Sequence, residues 1–313
     1  MKISGFTFIR NGAKLYYPVQ ESILSVLDIV DEFVIALGDN DTDDQTRVLI
    51  EQINSDKIRI IDTVWDLETY PDGTEHAHQT DIAMRACCGD WLIYLQADEV
   101  IHEKDLPLIH NNCRKYLDSD IDGFVFDYLH FWGDYNHYHL SHGWYKNEIR
   151  IIRNKSDIHS FISAQSFRRI PDFDGFSYRE KKGTEKLLCK KIPVSIYHYG
   201  WVRPPELMNL KKKYIDTNHH GASEIERKSE EYSGHFDYGD IRLLPEFKEG
   251  HPAVMAERIS EFFWQGDLYC DKALSVKRKK HKHERLKYKM ITLLEQKLFR
   301  GRPLFESRNY KLI

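Results

Sequence analysis

The residues predict an α/β protein with a mostly parallel sheet and helices on both faces. Three observations carry this: short apolar runs alternate with stretches of helical period, those runs end in polar clusters, and no internal repeat interrupts the order. Residues 2–9 (KISGFTFI) are the first strand, and Arg10-Asn11-Gly12 is the loop that leaves it. Over 17–30, Val19, Ile23, Val26, Leu27 and Val30 recur at helical spacing. Residues 32–37 form a second apolar strand, which ends at Gly38 and the acidic turn Asp39–Asp44. A helix at about 45–54 follows, then a third strand over 58–62, a polar loop and a helix at about 76–87. Trp91–Leu95 is a fourth apolar strand, and it runs straight into Gln96-Ala97-Asp98-Glu99.

Beyond residue 117 the character changes. Residues 118–203 are rich in Tyr, Phe, Trp and His, with strand-like runs at 123–128, 148–153 and 194–199. They predict an antiparallel insertion that walls the acceptor side. From Pro204 the pattern is helical and charged, a C-terminal extension with little β-branched content. The expected division is therefore a ligand-binding α/β unit over 1–117, an acceptor-side unit that completes the sheet over 118–203, and a helical extension over 204–313.

Bulk properties narrow the classes. A net charge of -4 over 313 residues gives no overall field to gather nucleic acid. No apolar run reaches the roughly 18–20 residues of a membrane span, and the N-terminus lacks the pattern of a cleaved leader. Five cysteines (Cys87, Cys88, Cys113, Cys189, Cys270) form no CxxC pair, which fits reduced thiols and a cytoplasmic setting.

Right-handed crossovers place the C-terminal ends of parallel strands on one edge, where open α/β sheets bind ligands. Arg10-Asn11, Asp39–Asp44 and Gln96–Glu99 all lie at such ends, and a nucleotide site is the natural reading. Closely spaced acids there suit a hard cation that neutralises a diphosphate leaving group.

The segment GDWLIYLQADEV (89–100) resembles the part of the family-2 glycosyltransferases, of GT-A fold, that ends in their Asp-x-Asp metal motif. The likeness is to the bacterial branch that makes lipopolysaccharide core and other surface glycans. FIRNG (8–12), VDEFVIALGDNDTDDQT (30–46) and HQTDIAMRACCGDW (78–91) match in the same order. A weaker likeness continues through EIRIIRN (148–154) and IYHYGWVR (196–203).

The resemblance implies a GT-A-like fold and transfer of a hexose from a nucleotide-diphosphate donor, a UDP-sugar in many members. The acceptor would be a hydroxyl of a glycan or lipid-linked glycan, and the transfer inverting. Arg10, Asn11, Asp39, His78, Asp81, Gln96, Ala97 and Asp98 would lie about the donor, with Asp39 on the base. Asp98 and His198 would hold a divalent cation, Mn²⁺ or Mg²⁺. Gln96 departs from the family's first acidic residue and brings no charge. The base for the acceptor hydroxyl is open among Glu99, Asp172, Asp174 and Glu180.

Plainer readings stand beside these. Asp98-Glu99 could cap a helix, the Asp39–Asp44 turn could be only a polar turn capped by Asp44, and His198 could fill an aromatic strand. The stretch from His130 to Trp144 tempts a zinc reading, but its spacing matches no common site and it lacks cysteine; an aromatic loop facing a sugar acceptor fits better. Arg150 or Arg153 could hold a phosphate or lie on a solvated strand face. The basic run Lys277–Arg285, continuing through apolar residues to Leu298, is either a solvated helical face or a peripheral contact with anionic membrane. Two further functions remain open: a nucleotidyltransferase, and a catalytically silent protein that binds nucleotide sugar or glycan.

Overall fold

The computed structural model describes residues 1–228, 232, 234–268, 280–305 and 308–313. Cys270 and the first residues of the basic run, Lys277–Lys279, lie outside them. The N-terminal third follows the expected alternation: β1 (Ile3–Ile9), α1 (Val19–Leu27), β2 (Glu32–Leu37), α2 (Thr46–Gln52), β3 (Ile58–Asp62), α3 (Thr74–Arg85) and β4 (Trp91–Tyr94). Then come β5 (Glu99–Ile101), α4 (Leu106–Lys115), β6 (Gly123–Trp132), β7 (Tyr138–His139), β8 (Asn147–Arg153), β9 (Ile158–Phe161), β10 (Ser166–Arg169) and β11 (Leu187–Trp201). Four helices, α5 (Pro205–His220), α6 (Ala222–Arg227), α7 (Ala256–Ser260) and α8 (Leu286–Lys297), precede a last strand, β12 (Tyr310–Leu312).

The main sheet has the order β12-β11-β6-β8-β4-β1-β2-β3. In that order β8 runs against both its neighbours, β4 and β6, and the other adjacent pairs are parallel. The insertion is thus mixed, since β6 and β11 are parallel to each other. The C-terminal part is also less helical than its composition suggests: single-turn 3₁₀ segments occupy 241–243 and 253–255, and β12 returns to extend the sheet beside β11. Among the described residues no helix is long and apolar enough to cross a membrane.

Both faces of the parallel strands are buried, as crossover helices require. On β2, Phe33, Ile35 and Leu37 join one core with Val19, Ile23 and Val26 of α1. Val34 and Ala36 join the opposite core with Ala83 and Met84 of α3. This period of two fixes register, because a one-residue slip would exchange the faces. A third, aromatic core gathers Phe131, Trp132, Tyr197, Tyr199, Phe236 and Trp264 at the far end of β6 and β11.

Register places the strand ends on one rim. Ile9 pairs with Leu37, and Phe6 pairs with Tyr94, so Arg10, Asp39 and Gln96–Asp98 follow their strands out of the same sheet edge.

Candidate functional site

A cleft of about 1200 Å³ opens along that rim, and Arg10, Trp65, Gln96, Ala97, Asp98 and His198 all line it. It exceeds the ~300–1,000 Å³ of ordinary small-molecule pockets. Its far wall is aromatic and includes Trp132, Trp144, Tyr145, Trp201 and Phe236. The His130–Trp144 stretch therefore reaches the cleft through its aromatic residues. Among the described residues no group of three His, Cys, Asp or Glu side chains converges as cation ligands would.

At one end Asp39 is held in place. Its Oδ2 accepts from Arg10 Nη2 at 3.0 Å, and its Oδ1 accepts from the Trp65 amide at 3.0 Å. The Arg10 guanidinium lies over Trp65 and Tyr214, 5.3 and 5.8 Å from the ring centres. Arg10, rather than the Asp39 carboxylate, is the group that lines the cleft. The rest of the acidic turn is committed elsewhere: Lys14 Nζ sits 2.8 Å from both Asp41 and Asp43, and Asp44 accepts from the Thr46 amide.

At the other end Asp98 meets two strands and a helix. His198 on β11 is in register with His130 on β6, and the two Nδ1 atoms are 3.0 Å apart. His130 Nε2 donates to the Tyr145 carbonyl at 2.7 Å, so its Nδ1 is the acceptor and His198 Nδ1–H the donor. That leaves a lone pair on His198 Nε2, 3.7 Å from Asp98 Oδ2. Burial lowers the His198 pKa, against the raising effect of Asp98, and keeps the ring neutral.

From α5, Lys211 Nζ donates to Asp98 Oδ2 at 3.2 Å and to the Gly200 carbonyl at 2.6 Å. The Arg203 Nη2 donates to the same carbonyl at 3.0 Å. Burial alone would raise the Asp98 carboxyl, but Lys211 foremost, with Arg203, outweighs it and holds it at about 2. Burial, then the Arg203 charge, pull Lys211 down to about 7.

Gly200 makes this meeting possible. The β6–β11 register shifts between His198 and Trp201, a bulge that re-aims the strand. A Cβ at Gly200 would stand 2.5 Å from Asp98 Oδ2 and 2.7 Å from His198 Nε2. Only the hydrogen of glycine lets the strand pass this close to both acceptors. A carboxylate oxygen and an imidazole nitrogen 3.7 Å apart are donor types that would suit a divalent cation.

Other expected site residues are placed differently. Glu99 is fully buried; its carboxylate accepts from Arg150 Nε at 2.8 Å and Nη2 at 2.7 Å, and from the Tyr128 hydroxyl at 2.7 Å. It pairs with Arg150 inside the protein, and neither residue lines the cleft where an acceptor or phosphate could reach it. Asp172 and Asp174 lie on an exposed loop outside the cleft lining, where Asp174 accepts from the Phe176 and Ser177 amides at 2.9 and 2.8 Å. Asp81 is turned away, with Oδ2 2.7 Å from His159 and Oδ1 accepting from the Ser160 amide. His78 stacks on Tyr70 at 3.9 Å, and His76 faces the cleft instead. Asn11 is buried and ties two loops: its amide donates to Asn40 Oδ1, and its Oδ1 accepts from the Asp41 amide.

No protein-family model and no curated protein matches the chain. Solved structures similar to it include residues 1–349 of Staphylococcus aureus TarS, at 12% identity and a TM-score of 0.38, covering 70% of this chain and 65% of that one. Another is a Mycobacterium tuberculosis glucosyl-3-phosphoglycerate synthase in complex with Mn²⁺, UDP and phosphoglyceric acid (16% identity, 41% of this chain and 43% of that one, TM-score 0.29). A third is the mannosyltransferase PcManGT of Pyrobaculum calidifontis in complex with GDP-Man and Mn²⁺ (15%, 39% and 34%, TM-score 0.31). The chain thus spans less than two thirds of each. Likeness of this degree does not transfer a residue's role.

Proposed function

We propose that the protein transfers a sugar from a nucleotide-diphosphate donor to a hydroxyl of a glycan or lipid-linked glycan, in the manner of a bacterial surface-glycan glycosyltransferase. One observation carries the reading: a single cleft is lined at one end by Arg10, which Asp39 holds in place, and at the other by Asp98, His198 and Lys211 beside Gly200.

The base and ribose lie toward Arg10, Trp65 and Tyr214, where Asp39 retains lone pairs for a base N–H. The diphosphate lies over Asp98. A divalent cation held there by Asp98 and His198 would supply Lewis-acid stabilisation of the leaving diphosphate. Lys211, buried beside the same carboxylate, places a hydrogen-bond donor where negative charge develops. Arg203, fully buried and hydrogen-bonded to the Gly200 carbonyl, fixes the bulge that presents Asp98 and His198. Gln96 is a positioning group: its Nε2 donates to the Ala164 carbonyl at 3.1 Å and steadies the loop before Asp98.

The acceptor sugar packs on Trp144 and Trp201, both in contact with the buried Trp132, and such rings suit the C–H faces of a hexose. Asp237, between Phe236 and Tyr238 on that side of the cleft, takes the acceptor proton in an inverting displacement.

A thermal-shift screen of nucleotide sugars with Mn²⁺, with Mg²⁺ and in chelator tests the reading. One donor class should raise the melting temperature, more with cation than without. No shift with any nucleotide sugar would end the proposal.

A further inference from the structure

The polarity of α8 is inverted. At about 100° per residue, Leu286, Met290, Leu293 and Leu294 fall within one stripe roughly 100° wide. That stripe faces solvent: Leu286 is 74% exposed, Met290 and Leu293 59% each, and Leu298 just beyond is 70% exposed. The polar side faces the protein instead. Glu295 is fully buried, and its Oε1 accepts from His142 Nδ1 at 2.8 Å and from the Leu304 amide at 2.6 Å. Thr292 Oγ1 accepts from the His142 amide at 2.8 Å. A helix that buries its glutamate and shows its leucines to water is shaped for an apolar partner.

Charge identifies the partner. Lys287 and Lys289 flank the stripe on its two sides, and Lys297 lies within it. Residues 280–302 hold eight Lys and Arg against two Glu, one of them the buried Glu295. A second copy of this face would meet it cation to cation. A surface with anionic headgroups above an acyl interior complements both features, because basic side chains reach the headgroups while leucines enter the boundary.

The face adjoins the cleft, for Lys280, Lys282 and Arg285, immediately before the helix, are among its lining residues. We propose that α8 and its flanking cations dock the protein on anionic membrane, with the cleft opening beside the lipid surface. Docking is independent of the transferase reading, and it is scored without any sugar donor.

The test is sedimentation of the full chain with vesicles of phosphatidylcholine alone or mixed with phosphatidylglycerol, at low and high salt. Light scattering of the free protein runs alongside. Wild type should bind the anionic vesicles and release in high salt. Replacing Leu286, Met290, Leu293 and Leu298 together by Ser should weaken binding more than about tenfold, since each side chain would enter the acyl boundary. The separate variant K287Q/K289Q/K297Q should weaken it about a hundredfold, from roughly fivefold per cation. Absence of wild-type binding at low salt overturns the proposal. So does binding that neither variant weakens. So does a wild-type dimer that the Ser variant abolishes, which would assign the stripe to self-association.

Discussion

Replacing Gly200 by Ala should disable the charged end of the cleft while leaving the fold standing. The backbone tolerates the change, since Gly200 is not among the glycines with positive φ. The side chain is the problem. A methyl 2.5 Å from Asp98 Oδ2 and 2.7 Å from His198 Nε2 is about 0.7–0.9 Å inside ordinary contact, and both neighbours are buried. Relief requires Asp98 or His198 to turn, which breaks the 3.2 Å bond to Lys211 or the 3.0 Å contact with His130. Overpacking of this kind costs ~1–3 kcal/mol of stability. Loss of an oriented ligand pair costs about 10–100-fold in affinity. Calorimetric titration of nucleotide sugar with Mn²⁺ should show that loss. Gly266→Ala, where a Cβ meets nothing within 4 Å, should bind as wild type. If Gly200→Ala keeps wild-type affinity, the gap between Asp98 and His198 is not where the diphosphate is held.

Three other outcomes follow from the same geometry. Glu99→Gln should destabilise the protein by roughly 3–5 kcal/mol in urea or thermal melts, because it leaves Arg150 charged and uncompensated in the core; a variant of normal stability that had lost turnover alone would restore Glu99 as a catalytic group. Asp237→Asn should lower turnover by ~10²–10⁴ with donor affinity unchanged, measured by release of nucleoside diphosphate with acceptor present; equal turnover would move the base elsewhere. Glu75 is fully buried with Oε2 unpaired, and burial, opposed by the Gln79 hydrogen bond, raises its carboxyl to about 7. Between the unfolded value near 4.3 and pH 7 the folded chain therefore keeps a proton that the unfolded chain releases, so stability falls as pH rises. Glu75→Gln should gain ~2 kcal/mol at pH 8 and little at pH 4, and a gain of the same size at both would refute the burial argument.

The sheet was legible where apolar runs were long and both faces buried: β1, β2, β3 and β4 begin and end within one residue of the expected strands. Strand β11 is much longer than its 194–199 core: it continues back past Pro193, which is accommodated where the register shifts between Lys191 and Ser195. Strand β12 is three residues long, too short to carry a period. Within the site, Asp98 could be read from the polar end of a strand, and His198 only from the family resemblance. Lys211 could not, since its role depends on α5 folding back over the rim. Its one trace in the sequence is a lysine three residues after Met208 on the buried face of that helix. Glu99 neighbours Asp98 in sequence but not in surroundings: Asp98 lies in the turn closed by the Glu99 amide on the Gln96 carbonyl, whereas Glu99 opens β5 and pairs with Arg150. Arg203 and Gly200 gave no signal of their own, since a bulge is set by pairing between distant strands.

The most direct measurement compares how Asp98→Asn and Asp39→Ala bind a nucleoside monophosphate and the matching diphosphate sugar. If one molecule spans the cleft, Asp39→Ala weakens both ligands alike, whereas Asp98→Asn weakens the diphosphate sugar at least tenfold and spares the monophosphate. Equal losses from both substitutions, or none from either, would contradict a donor held by its base at Asp39 and its diphosphate at Asp98.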